Sequence, residues 1–89
     1  MIMYVIMVYD VGVERVSQVL TAARKYLHWV QNSVLEGEIS DANLLRLQKE
    51  LSDIIDREKD SVILYLLRTT KYFTRLTMGT VKGNTETFI

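Results

Sequence analysis

Eighty-nine residues, 48% hydrophobic and 25% charged, describe one small globular domain and exclude a second independent core, since domains usually take about 100 to 200 residues. Eleven basic and eleven acidic side chains cancel, so the total charge carries no signal for nucleic acid. Zero cysteines exclude disulfides, thiolate metal sites and a cysteine nucleophile, as in a reducing, cytoplasmic interior.

Residues 2–9 are isoleucine, methionine, tyrosine and valine without a polar break, the pattern of a central strand covered on both faces. The longest apolar run, residues 1–9, is nine residues long, where a membrane span needs about 20. Neither a membrane segment nor a secretory signal is expected. The strand stops at Asp10, followed by the turn-permitting Val11 and Gly12. Val13, Val16, Leu20, Ala23 and Leu27 then recur at helical spacing, with Glu14, Arg15, Gln18 and Lys25 left for water.

The β-formers Trp29, Val30, Val34, Leu35 and Ile39 surround polar Gln31, Asn32 and Ser33. Two short strands about a tight bend, or one kinked strand, are expected, and Gly37 suggests a bulge or a close backbone approach. Ser40 and Asp41 offer a helix cap. Leu44, Leu47, Leu51 and Ile54, reinforced by Leu45 and Ile55, predict a second helix to about Arg57. Residues 61–67 form another apolar strand, residues 72–81 a mixed one rich in threonine and aromatics. Lys59 and Asp60 between helix and strand read as solvated turn charges.

The order β α β β α β is the ferredoxin-like α+β pattern, with two helices on one face of an antiparallel sheet. Its other face stays uncovered, and a short chain buries only about 60 to 65% of the surface it exposes when unfolded. A second copy packed sheet to sheet in a two-fold homodimer is the economical cover. Residues 1–89 are expected to make this single domain. Residues 82–89 would serve as a C-terminal tail or strand pairing with the partner's sheet edge.

Asp10 is the best placed polar group, at the C-terminal end of a buried strand and before a helix, where open sheets often place ligand-binding and catalytic groups. The plain alternative is an aspartate ending a strand in a turn. One carboxylate per chain is too few for a dedicated magnesium cage. Two-fold pairing of Asp10 would give two carboxylates to one divalent ion, able to activate water and polarise a phosphodiester. Tyr9 positions Asp10 or belongs to the core. His28, the sole histidine, reads as a structural donor. Ser33 lacks a nucleophile's His and Asp relay. Charge is uneven: residues 61–89 carry four basic groups and one acidic. Arg68, Lys71 and Arg75 could lie along a phosphate backbone or be ordinary solvated charge.

Three segments together carry a resemblance: Met3-Tyr4-Val5-Ile6-Met7-Val8-Tyr9-Asp10, Trp29-Val30-Gln31-Asn32-Ser33-Val34-Leu35-Glu36-Gly37, and Asp60-Ser61-Val62-Ile63-Leu64-Tyr65. The chain resembles the small CRISPR-associated endonuclease and adaptation subunit, the Cas-two family, across its whole length. The resemblance implies a ferredoxin-like symmetric dimer with Asp10 as a magnesium ligand at the interface, other divalent cations being possible. It implies metal-dependent cleavage of single-stranded RNA or double-stranded DNA, and partnership with the CRISPR integrase subunit to hold new spacer DNA. Arg15 and Arg24 are then plausible phosphate contacts. Leu35 replaces a phenylalanine frequent in the family, and Val11-Gly12-Val13 lacks the charged loop, hence a second acidic ligand, of many members.

Two functions follow. In the first, a homodimeric magnesium-dependent phosphodiesterase uses paired Asp10 with Arg15 and Tyr9 orienting substrate. In the second, a non-catalytic scaffold clamps spacer DNA through Lys and Arg and bridges integrase dimers, with salt-sensitive affinity.

Overall fold

The structure, a computed structural model, describes residues 2–68 together with residues 76 and 78. Strand β1 spans Ile2–Asp10, helix α1 Val13–Arg24, β2 His28–Gln31, β3 Val34–Ser40, α2 Asp41–Ile54 and β4 Ser61–Leu67. The sheet runs β2-β3-β1-β4, every neighbouring pair antiparallel. This is the ferredoxin-like arrangement. The expected strand over residues 72–81 and the tail over 82–89 lie outside the described residues.

The pleat of β1 divides its side chains. Val5, Met7 and Tyr9 are buried, beneath Val19, Ala22 and Ala23 of α1 and Leu44, Leu47 and Leu51 of α2. Those helical residues recur at three and four positions, so one stripe of each helix faces the sheet. Tyr4, Ile6 and Val8 alternate onto the opposite face and are half-buried. Across the β1–β4 ladder Ile6 stands opposite Tyr65 and Val8 opposite Ile63, two residues about half exposed. Among the described residues no helix covers this face.

Both helices end earlier than their apolar periodicity. In α1 the chain tightens after Arg24, with Lys25 N–H bonded to the Ala22 carbonyl and Tyr26 N–H to that of Ala23, while Leu27 stays buried. The stripe thus outlasts the helix. In α2, Ser40 is the expected cap, its Oγ accepting from Asn43 N–H at 3.2 Å. The far end stops at Ile54, before Arg57, because Asp56 takes its own turn: its carboxylate accepts from Glu58 N–H at 3.0 Å. Local side-chain acceptors compete with the helical ladder in this way.

The 28–39 segment is two strands about Asn32 and Ser33. Asn32 has φ 44°, a left-handed conformation that asparagine tolerates better than most residues. The register irregularity lies in β2 between Trp29 and Gln31, and not at Gly37, which pairs in step with Val5. Glycine is suited to position 37 by its φ of 157°.

Candidate metal and nucleic-acid site

Asp10 ends β1 on the uncovered face, exposed, its Cα paired across the ladder with that of Ser61 in β4. Tyr9 projects to the other side, 5% exposed, and its hydroxyl donates to the Asn32 carbonyl at 3.4 Å. Burial pushes the Tyr9 phenol up from its ordinary value. Alternation along the strand therefore separates the two neighbours. Tyr9 joins the core, whereas Asp10 is open to solvent.

Glu36 and Glu38 belong to the same face as Asp10, opposite Ile6 and Tyr4. At about 3.3 Å of rise per residue they lie roughly 13 and 20 Å along from Asp10. Among the described residues no three His, Cys, Asp or Glu side chains form a group able to hold a metal. The donor Asp10 offers is a hard carboxylate, suited to a magnesium ion that keeps several waters and takes only one or two protein carboxylates.

The loop after Asp10 is held from an unexpected quarter. Asp60, which the sequence suggests is a solvated turn charge, has a side chain with 0% exposure. Its carboxylate accepts from Arg15 Nε at 2.5 Å, Arg15 Nη2 at 2.8 Å, Gly12 N–H at 2.9 Å and Asp56 N–H at 2.8 Å. Bonding to Arg15 holds the Asp60 carboxyl well below the usual carboxylate range, burial opposing the shift. The same bond raises the Arg15 guanidinium further above its ordinary value. Nothing local in the sequence announces this pairing, because Arg15 and Asp60 are 45 residues apart. Knowing that β4 lies beside β1 would have revealed it.

Arg15 is therefore committed to Asp60 and to Glu14 Oε2, 3.0 Å from its Nη1, rather than presented to solvent as an unbound phosphate contact. Arg24 is exposed at the end of α1, its guanidinium 5.7 Å from the Trp29 ring centroid, a cation–π contact that leaves the charge at the surface. Its neighbour Lys25 is paired with Glu50 at 2.5 Å, and Tyr26 donates to the same carboxylate at 2.6 Å. Arg68 is exposed just beyond β4. Lys71 and Arg75 lie outside the described residues. The structure thus places Asp10 and Arg24 on different elements, and Tyr9 and Arg15 within internal contacts.

The family model for CRISPR associated protein Cas2 matches residues 3–75. The chain belongs to the Cas2 family. A relative from Dictyoglomus turgidum, named CRISPR-associated endoribonuclease Cas2, is 56% identical over 84 residues, 94% of this chain and 97% of its own. A Thermotoga maritima relative of the same name is 53% identical over 81 residues, 91% of this chain and 93% of its own. A crystal structure described as cas2 superposes with TM-score 0.84 at 45% identity, covering both chains completely. The Streptococcus pyogenes Cas2 crystal structure at pH 6.5 gives TM-score 0.72 at 31% identity over 84% of this chain and 100% of that one. The Cas2 fold and the ferredoxin-like arrangement read from the sequence are therefore the same. No helix among the described residues is long and apolar enough to cross a membrane.

Proposed function

We propose that this Cas2 protein is a divalent-cation-dependent endoribonuclease of CRISPR adaptation, active as a homodimer in which Asp10 of each copy serves one magnesium ion. The observation that carries this reading is the exposed Asp10 at the end of β1, on the sheet face where Ile6, Val8, Ile63 and Tyr65 are left partly open to water. Burying that face against a second copy removes apolar surface from water. A two-fold contact would also bring a second Asp10 carboxylate to the same ion.

When bound, the cation would polarise the scissile phosphodiester and make attacking water more acidic. Asp10 orients the cation's site. Arg24, Arg68, Lys71 and Arg75 are proposed to neutralise backbone phosphates, which predicts affinity that falls as salt rises. Arg15 and Tyr9 support the site from within the fold. The CRISPR integrase subunit and duplex spacer DNA are the proposed further partners, with the 82–89 tail as the docking segment.

Asp10→Ala tests the reading on purified protein with RNA and duplex DNA under magnesium titration. The expected result is a fall in cleavage of about a hundredfold or more, beyond the 10–100-fold typical of outer-shell changes, with EDTA abolishing wild-type cleavage. Unchanged cleavage would remove the metal role of Asp10. Lost cleavage with intact spacer acquisition would assign adaptation to the DNA-clamping surface instead.

A further inference from the structure

The Asp60 carboxylate accepts four hydrogen bonds, and the proposed chemistry does not use it. Each of its oxygens accepts two hydrogen bonds: Oδ1 from Gly12 N–H and Arg15 Nη2, Oδ2 from Arg15 Nε and Asp56 N–H. A buried carboxylate is tolerated only when paired and bonded in this manner. Three of the four bonds come from the segment that follows Asp10. The fourth closes Asp60's own loop, where Asp60 N–H also donates to the Asp56 carbonyl at 2.7 Å.

Asp10 lies between two anchors on that loop. On one side its Cα is paired with that of Ser61, the residue after Asp60. On the other, Gly12 is bonded to Asp60 itself. Two Cα steps of about 3.8 Å separate Asp10 from Gly12, so a swing of the strand end has to break the Gly12–Asp60 bond. Position 12 is matched to this contact by space rather than by conformation. Its φ is −57°, accessible to any residue, but an added Cβ would sit 2.5 Å from Arg15 Nη2.

We infer that Asp60 is a positioning residue for the Asp10 site: through Gly12 and Arg15 it fixes the strand end from which the Asp10 carboxylate projects. This inference rests on the reading of Asp10 proposed above. A metal-binding carboxylate must be held within a fraction of an ångström, and groups behind the ligand commonly supply that precision. Asp60 touches no reacting atom in this scheme. Its effect passes through the backbone of residues 10–12.

The test uses the full-length protein with Asp60→Asn, which keeps the shape and removes the charge, and Leu47→Val as a control for lost stability far from the loop. Amide hydrogen exchange at Gly12 is measured by NMR without metal, and the magnesium concentration for half-maximal RNA cleavage is measured at a temperature where both variants are folded. Asp60→Asn should speed Gly12 exchange well beyond its effect on core amides, raise the magnesium requirement about tenfold, and leave the RNA half-saturation within about twofold. Leu47→Val should leave the magnesium requirement unmoved. Should Asp60→Asn not fold, Arg15→Lys keeps the charge but loses the two-pronged geometry, and the same shifts are expected. Gly12 exchange and magnesium requirement both matching wild type, or matching Leu47→Val, would overturn the inference. A failure of the Asp10 reading is separate: it appears as wild-type cleavage by Asp10→Ala, whereas a failure of the clamp leaves Asp10→Ala inactive and Gly12 unperturbed.

Discussion

Tyr9 and Asp10 are neighbours in sequence and end on opposite faces of the sheet, Tyr9 5% exposed beneath the helices and Asp10 open to solvent. The separation follows from the two-residue period of a strand. It divides labour between a core anchor and a carboxylate free to meet a ligand. Tyr9→Phe should therefore behave unlike Asp10→Ala. Its hydroxyl makes only a long, 3.4 Å bond to the Asn32 carbonyl, which also accepts from Trp29 Nε1 at 3.0 Å. The loss should be about 0.5 kcal/mol, at the low end for a hydrogen bond, with cleavage within about twofold of wild type. Urea unfolding and initial rates check this, and a rate loss approaching that of Asp10→Ala would return Tyr9 to the reacting centre.

The turn that receives these two donors makes its own prediction. Asn32 carries φ 44°, and it is the first residue between β2 and β3, a place where glycine is favoured in two-residue hairpins. Asn32→Gly should be neutral within about 0.5 kcal/mol, whereas Asn32→Ala should cost about 1 kcal/mol because a Cβ disfavours the left-handed region. Chemical denaturation of the pair measures the difference. Equal stabilities would show that the backbone bonds to Trp29 and Tyr9, rather than local conformation, set the turn.

Much of this architecture was legible because it is written in local patterns. The run from Ile2 to Asp10, the 3-and-4 spacing of Leu44, Leu47 and Leu51, and the Ser40 cap all depend on neighbours within a few residues. The end of α2 was less legible, since Ile54 and Ile55 continue the apolar stripe while the Asp56 and Asp60 carboxylates take the backbone N–H groups beyond it. Asp10 was visible as a strand-ending carboxylate. The engagement of Arg15 was not, because its partner reaches it only after β4 has paired with β1. Charge that looks solvated in a sequence can be buried by topology alone.

Gly12→Ala probes the same contact from the backbone side. The new methyl would approach Arg15 Nη2 to 2.5 Å and Glu14 Oε1 to 2.9 Å, and Arg15 cannot withdraw without surrendering one of its bonds to Asp60. A loss of about 1 kcal/mol is expected, as for modest overpacking, with a raised magnesium requirement. Because φ at position 12 suits alanine, Gly12→Ala combined with Arg15→Ala should lose less than the sum of the single variants. Strict additivity in a double-mutant cycle would mean that the methyl is accommodated without disturbing the guanidinium.

Acid should expose the Asp60 pair through its pH dependence. Bonding to Arg15 depresses the folded-state pKa of Asp60 below its ordinary value of 3.8. The folded state then binds fewer protons than the unfolded one as pH falls through the carboxylate range, so stability decreases with acid. The contribution is fully present above the unfolded-state value and is lost progressively below about pH 3.8, completing only once the depressed folded-state pKa is passed. Asp60→Asn has no such proton to take up. The gap in Tm between wild type and Asp60→Asn should stay constant from pH 7 to about pH 5 and narrow below pH 4, when followed by circular dichroism at fixed ionic strength. A gap unchanged down to pH 2 would show that the stabilisation at this position comes from the second acceptor oxygen that asparagine lacks and not from the carboxylate's charge.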